Sequence, residues 1–121
     1  MAGTHEIESY KVKRYATPLI TNFSGFIYHY LGLIECTNEA TRDAMVLYIV
    51  PDDKTPTRET VELASGDHVG FMGIRRDEVD FFIDLLRNEK PMYMTINAGG
   101  AFNSIQTGKE PVGEGLEPTE E

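Results

Sequence analysis

Only one stretch of this sequence repeats its apolar residues at the helical period. Val79, Phe82, Ile83 and Leu86 fall at i, i+3, i+4 and i+7, the spacing that lines up one face of an α-helix. Asp77 and Glu78 suit the positive end of that helix's dipole and Arg87 the other end. Pro91 stops it, so the spacing predicts a helix over about 76–88. Nearly everything else apolar in the chain alternates or runs in short blocks. One helix among many strands leaves few architectures open.

The strand signals are local. Tyr10 and Val12 alternate with Lys11 and Lys13, which predicts a strand over 6–16 with one buried and one wet face. Pro18 and Asn22-Phe23-Ser24-Gly25 mark a connection. Phe26 to Glu35 is aromatic and aliphatic with only Gly32 weak, and Ala44 to Val50 is a continuous apolar block ended by Pro51. Thr60–Leu63 and His68–Met72 read as a hairpin turned by Ser65-Gly66-Asp67. Beyond the helix, Met92, Met94 and Ile96 alternate with Tyr93 and Thr95. Ala98-Gly99-Gly100 turns the chain, and Phe102–Gln106 pairs back. The expected fold is therefore α+β: a curved, mainly antiparallel, half-barrel-like sheet of six or seven strands with one amphipathic helix packed on it. A single helix cannot cover that many strands, so the sheet must curl or lean on a second subunit.

At 121 residues the chain is long enough for one core. Residues 1–108 read as the domain and 109–121, rich in Gly, Pro and Glu, as a disordered acidic tail. The formal charge is −9, with five of the 20 acidic residues and none of the 11 basic ones between Glu110 and Glu121. Outside that segment 15 acidic residues face 11 basic ones, a balance of −4. Phosphate affinity comes chiefly from Lys and Arg, so the charge balance argues against a nucleic-acid partner. The single cysteine, Cys36, permits no intrachain disulfide and no cysteine-rich zinc site. Residues 1–6 lack a basic stretch followed by an apolar run, and the longest apolar run is too short to span a membrane. A cytoplasmic protein without cofactor, metal or membrane contact is the expectation.

Three features carry functional weight. Phe26, Tyr28 and Tyr30 share one face of their strand, while Ile27, His29, Leu31 and Leu33 share the other. Three aromatics in a row form either a platform on which a flat ligand or a base stacks, or part of the core with hydroxyls at the rim. His29 then points among aliphatics, and His5, His29 and His68 are not spaced as metal ligands. Lys11, Lys13 and Arg14 interleave with Tyr10 and Tyr15, and Arg75 and Arg76 extend a basic patch if the fold brings them near. The alternative is a solvated edge strand whose lysines discourage aggregation.

The third feature is the width of the helix's apolar face. Val79, Phe81, Phe82, Ile83, Leu85 and Leu86 cover about 200°, roughly twice what a core-facing helix needs. A sheet covers one side only, so Phe81 and Leu85 must meet a loop, a second subunit or a partner. The leading expectation is a non-catalytic binding module that self-associates and contacts a protein or small ligand. One alternative is a single-strand nucleic-acid binder. The segment Gly73-Ile74-Arg75-Arg76, entering a helix after a run of strands, is similar to small single-strand-binding folds in element order alone. A second alternative is a small enzyme between sheet and helix, with His29, His68 or Asp67 as acid or base.

Overall fold

The computed structural model describes residues 3–108. The expected tail, 109–121, lies outside the described residues. The elements are β1 (Gly3–Glu6), β2 (Ser9–Phe23), β3 (Phe26–Thr37), β4 (Ala44–Ile49), β5 (Arg58–Glu62), β6 (His68–Ile74), α1 (Val79–Asn88), β7 (Met92–Ile96) and β8 (Ser104–Thr107). A 3-10 turn, Arg76–Glu78, leads into α1, so the helical stretch matches the expected 76–88. Glu78 Oε1 accepts the Arg75 backbone N–H at 2.8 Å, which satisfies an N–H at the helix entry.

The fold is α+β, and its sheets are mainly antiparallel and not closed into a barrel. Its strands are shared between two sheets rather than one. A five-stranded sheet runs β2-β3-β4-β6-β5 and a three-stranded sheet runs β1-β7-β8. Every neighbouring pair is antiparallel except β4 and β6, which are parallel. The strand expected over 6–16 is two strands because the chain changes sheet at Ile7-Glu8. There the Ile7 N–H bonds Met92 O and the Glu8 N–H bonds Thr37 O. The three-stranded sheet thus does part of the covering for which curling or a second subunit was expected.

The connection expected around Pro18 is not one. β2 continues through it to Phe23, but its register slips: Arg14 lies opposite Gly32 and Leu19 opposite Tyr30. Three more residues are spent on β2 than on β3 across that step, and Pro18 is tolerated there because bulges on edge strands need no ladder N–H. Ser24 and Gly25, with φ of 50° and 97°, close a two-residue hairpin turn.

That slip lets the β2–β3 hairpin fold back over its own sheet. Leu33 sits opposite Tyr48, and Phe26 lies seven residues earlier. Along a straight strand that is about 23 Å. Yet the Phe26 ring is 6.1 Å from the Tyr48 ring and 4.9 Å from that of Phe71. The distal hairpin, 19–30, is therefore an arm laid across one face of the five-stranded sheet.

Two cores result, one on each face. Ile34, Cys36, Met45, Leu47, Ile49, Met72 and Ile74 pack under Met94 and Ile96 of the three-stranded sheet and Val79 of α1. Val46, Tyr48, Val50, Val61 and Phe71 point the other way and pack under Tyr28 and Tyr30 of the arm. The edges are stitched by polar contacts. Asn103, 1% exposed, gives its amide to Glu59 O at 2.8 Å and to Phe71 O at 3.3 Å, and accepts the Asn97 N–H at 2.8 Å. Gly100, at φ 83°, lies so close to β5 that a Cβ would stand 2.4 Å from Glu59 Cα. No side chain fits there.

Candidate functional site

The aromatic strand face belongs to the second core. Tyr28 and Tyr30 are each 7% exposed, and the rings of Phe26, Tyr48 and Phe71 lie 5.4, 5.1 and 5.1 Å from that of Tyr28. The ring faces that a base would stack on are thus occupied by neighbours. Burial, with the neighbouring tyrosines and Glu35 adding, pushes the Tyr28 hydroxyl up to about 12. Leu33, expected to share a face with His29, instead joins Tyr28 and Tyr30, because strand alternation breaks between Tyr30 and Leu33. His29 stays on the outer side of the arm opposite Ile20, with Ile27 two residues away. Ile20 and Ile27 are 65% and 59% exposed.

A cleft of about 160 Å³ opens between the arm and the 51–57 loop, with Tyr28, His29, Tyr48, Val50, Lys54 and Thr57 among its walls. The loop is held at several points. The Lys54 N–H bonds Pro51 O at 3.0 Å, Arg75 Nη1 donates to Lys54 O at 3.0 Å, and the Tyr48 hydroxyl meets Thr57 Oγ1 at 2.6 Å. A wider hollow of about 350 Å³ lies at the seam of the two sheets and the helix C-terminus. Ile7, Tyr10, Leu86 and Met92 line it, with Glu8, Glu89 and Lys90 alongside.

On α1, Phe82, Ile83 and Leu86 pack against the aliphatic core with the buried Val79. Leu85 is half-buried, while Phe81 remains 60% exposed and touches Phe82 edge-on at 5.3 Å. No loop of the described chain closes over it.

The basic residues are not brought into one patch. Lys11, Lys13 and Arg14 lie exposed along the β2 edge, opposite Glu35, Leu33 and Gly32. Arg75 and Arg76 follow β6, with β3 and β4 lying between the two strands. Three strand spacings separate the groups, about 14 Å. Arg76 is also occupied by Asp52, with Nε to Oδ1 at 3.2 Å and Nη2 to Oδ2 at 2.6 Å.

One polar cluster has no counterpart in the sequence reading. Asp43 is 1% exposed, and its Oδ2 lies 3.1 Å from His5 Nε2 while its Oδ1 accepts the His68 backbone N–H at 2.9 Å. Neighbouring Arg42 is held at φ 65°, its Nε 3.8 Å from Asp67 Oδ2. His68 Nδ1 is buried without a hydrogen-bond partner. The cluster joins β1 of one sheet to the starts of β4 and β6 in the other. His29, on the arm, is not part of it, so the three candidate acid–base residues are not assembled together. Only the parallel pairing of β4 with β6 brings Asp43 and His68 side by side, and no short-range pattern announces a parallel pair.

Cys36 is buried in the aliphatic core, where desolvation, with Glu35 adding, pushes its thiol up to about 12. Among the described residues no group of three or more His, Cys, Asp or Glu side chains is arranged to hold a metal ion. No helix among them is long and apolar enough to cross a membrane. No protein-family model, no curated protein and no solved structure matches this chain.

Proposed function

We propose that this protein is a non-catalytic interaction module that self-associates through the outer face of α1. The exposure of Phe81 carries the reading. Its helical neighbours Val79, Phe82, Ile83 and Leu86 are seated in the aliphatic core, while Phe81 keeps 60% of its surface in water. Full burial of such a side chain contributes roughly 1.5–3 kcal/mol, and more than half of that is forgone at Phe81. Leu85 extends the same strip. A second copy offers an identical apolar strip, and a two-fold contact between copies is the commonest way such a surface is closed.

The nucleic-acid alternative draws less support. Its stacking rings are packed against one another, and its basic residues are divided between β2 and the end of β6.

Sedimentation velocity across a hundredfold range of concentration tests the proposal. The unmodified chain is expected to shift toward a dimer as concentration rises. Phe81→Asp is expected to remain monomeric with an unchanged far-ultraviolet spectrum. A monomer at every concentration for the unmodified chain would overturn it.

A further inference from the structure

We infer that the cleft between the hairpin arm and the 51–57 loop is a binding site for a small aromatic carboxylate, a molecule of one six-membered ring and one carboxyl group. The inference goes beyond self-association and does not rest on it.

Size sets the first limit. The cleft is open on one side and holds about 160 Å³, room for a guest of about one six-membered ring. Tyr28, Tyr48 and Val50, all buried, form its inner wall, two aromatic rings and a branched aliphatic that suit a flat guest.

Charge sets the second. The chain carries 20 acidic residues against 11 basic ones, yet no acidic residue lines this cleft, and Lys54 does. The Lys54 backbone is fixed on both sides, by its N–H to Pro51 and by the Arg75 guanidinium on its carbonyl. With the loop backbone already held, the ordering cost of binding a carboxylate here is that of the Lys54 side chain.

Hydrogen bonding sets the third. The Tyr30 hydroxyl is matched by Thr21 at 2.7 Å and that of Tyr48 by Thr57. The Tyr28 hydroxyl makes no hydrogen bond to another described residue. With the hydroxyl of Thr55, also on the cleft wall, it offers donors to a carboxylate oxygen.

The test is a titration of the full, ¹⁵N-labelled chain with benzoate, followed by backbone amide shifts, with acetate and benzyl alcohol in parallel. Benzoate is expected to give saturable shifts at Tyr28, His29, Lys54 and Thr57 with a millimolar or tighter Kd. The hollow around Leu86 and Lys90 is expected to stay silent. Acetate, lacking the ring, and benzyl alcohol, lacking the charge, should each bind about tenfold more weakly. Lys54→Met, on an exposed side chain, should weaken benzoate about tenfold. Tyr28→Phe, which keeps the ring, should weaken it about threefold to tenfold. Benzyl alcohol binding as tightly as benzoate, indifference to Lys54→Met, or absence of saturable shifts at these residues would each overturn the inference.

Discussion

The two faces of the five-stranded sheet are closed in opposite ways. Along β4 and the residue that follows it, Met45, Leu47 and Ile49 point to one face and Val46, Tyr48 and Val50 to the other. The first face is aliphatic and is covered by elements far along the chain, β7 and α1. The second is aromatic and is covered by the hairpin arm, continuous with the sheet's own β2 and β3. The buried aliphatic layer brings no hydroxyls and only the Cys36 thiol, and its polar stitches stand at the periphery, Asn103 on one side and His5 with Asp43 on another. An aromatic layer brings hydroxyls, and these must find partners at the rim, as Tyr30 does on Thr21 and Tyr48 on Thr57. The small cleft lies along the margin of that cover.

Removing Phe71 should break the aromatic face most. The rings of Phe23, Phe26 and Tyr28 all rest on it, at 5.4, 4.9 and 5.1 Å. Phe71→Ala is expected to cost about 3–5 kcal/mol in urea unfolding. Amide exchange should then show residues 26–30 losing protection before 45–49. Equal loss in both would mean that the arm is no separate unit of stability. On the other face, Asn103→Ala should cost about 2–3 kcal/mol, because it strands the Asn97 N–H and the carbonyls of Glu59 and Phe71. A cost within error would show that the stitch is redundant. Tyr30→Phe, which deletes only the bond to Thr21, should cost about 1 kcal/mol.

Alkaline pH acts on both faces through one group each. Cys36 rises from 9.0 and Tyr28 from 10.0, each to about 12. The unfolded chain therefore releases these protons first. Their contribution to stability is complete below the unfolded values and is lost as pH climbs toward 12. Stability measured in urea from pH 8 to 11 should fall, and more gently in Cys36→Ala and Tyr28→Phe. A flat profile would contradict both shifts. The smallest expected effect is nil: labelled oligo-dT at low salt should give no saturable anisotropy change at micromolar protein. Salt-sensitive binding weakened by Tyr28→Ala would mean that the arm lifts and exposes its rings.

Much of the fold was legible because it is local. The helix is announced by its period and its stop at Pro91, and β4 by an unbroken apolar block ended by a proline. The hairpin of β5 and β6 is announced by Gly66, whose φ of 93° suits the turn. The excess width of the helix's apolar face was legible too, and Phe81 is the residue left exposed. What was not legible depends on register. The reading of 6–16 as one strand failed because alternation does not say which sheet a residue's backbone joins. Pro18 read as a break because the bulge that tolerates it is visible only in the pairing with β3.

Residue type and spacing by themselves determined the helix and most of the strands, β3, β4, β6 and β7 among them, since propensity and period act over a few residues; they did not separate β1 from β2 or carry β2 through Pro18. They also determined that Phe26, Tyr28 and Tyr30 share a face. Only the tertiary structure decided what that face meets. Whether three aromatic rings are a platform or a core depends on the arm folding back about 23 Å of strand onto Phe71 and Tyr48. That depends in turn on a three-residue slip against β3 and on a parallel pairing of β4 with β6. These are contacts between residues distant in the chain, chosen by burial summed over both faces, and no short window of sequence contains them.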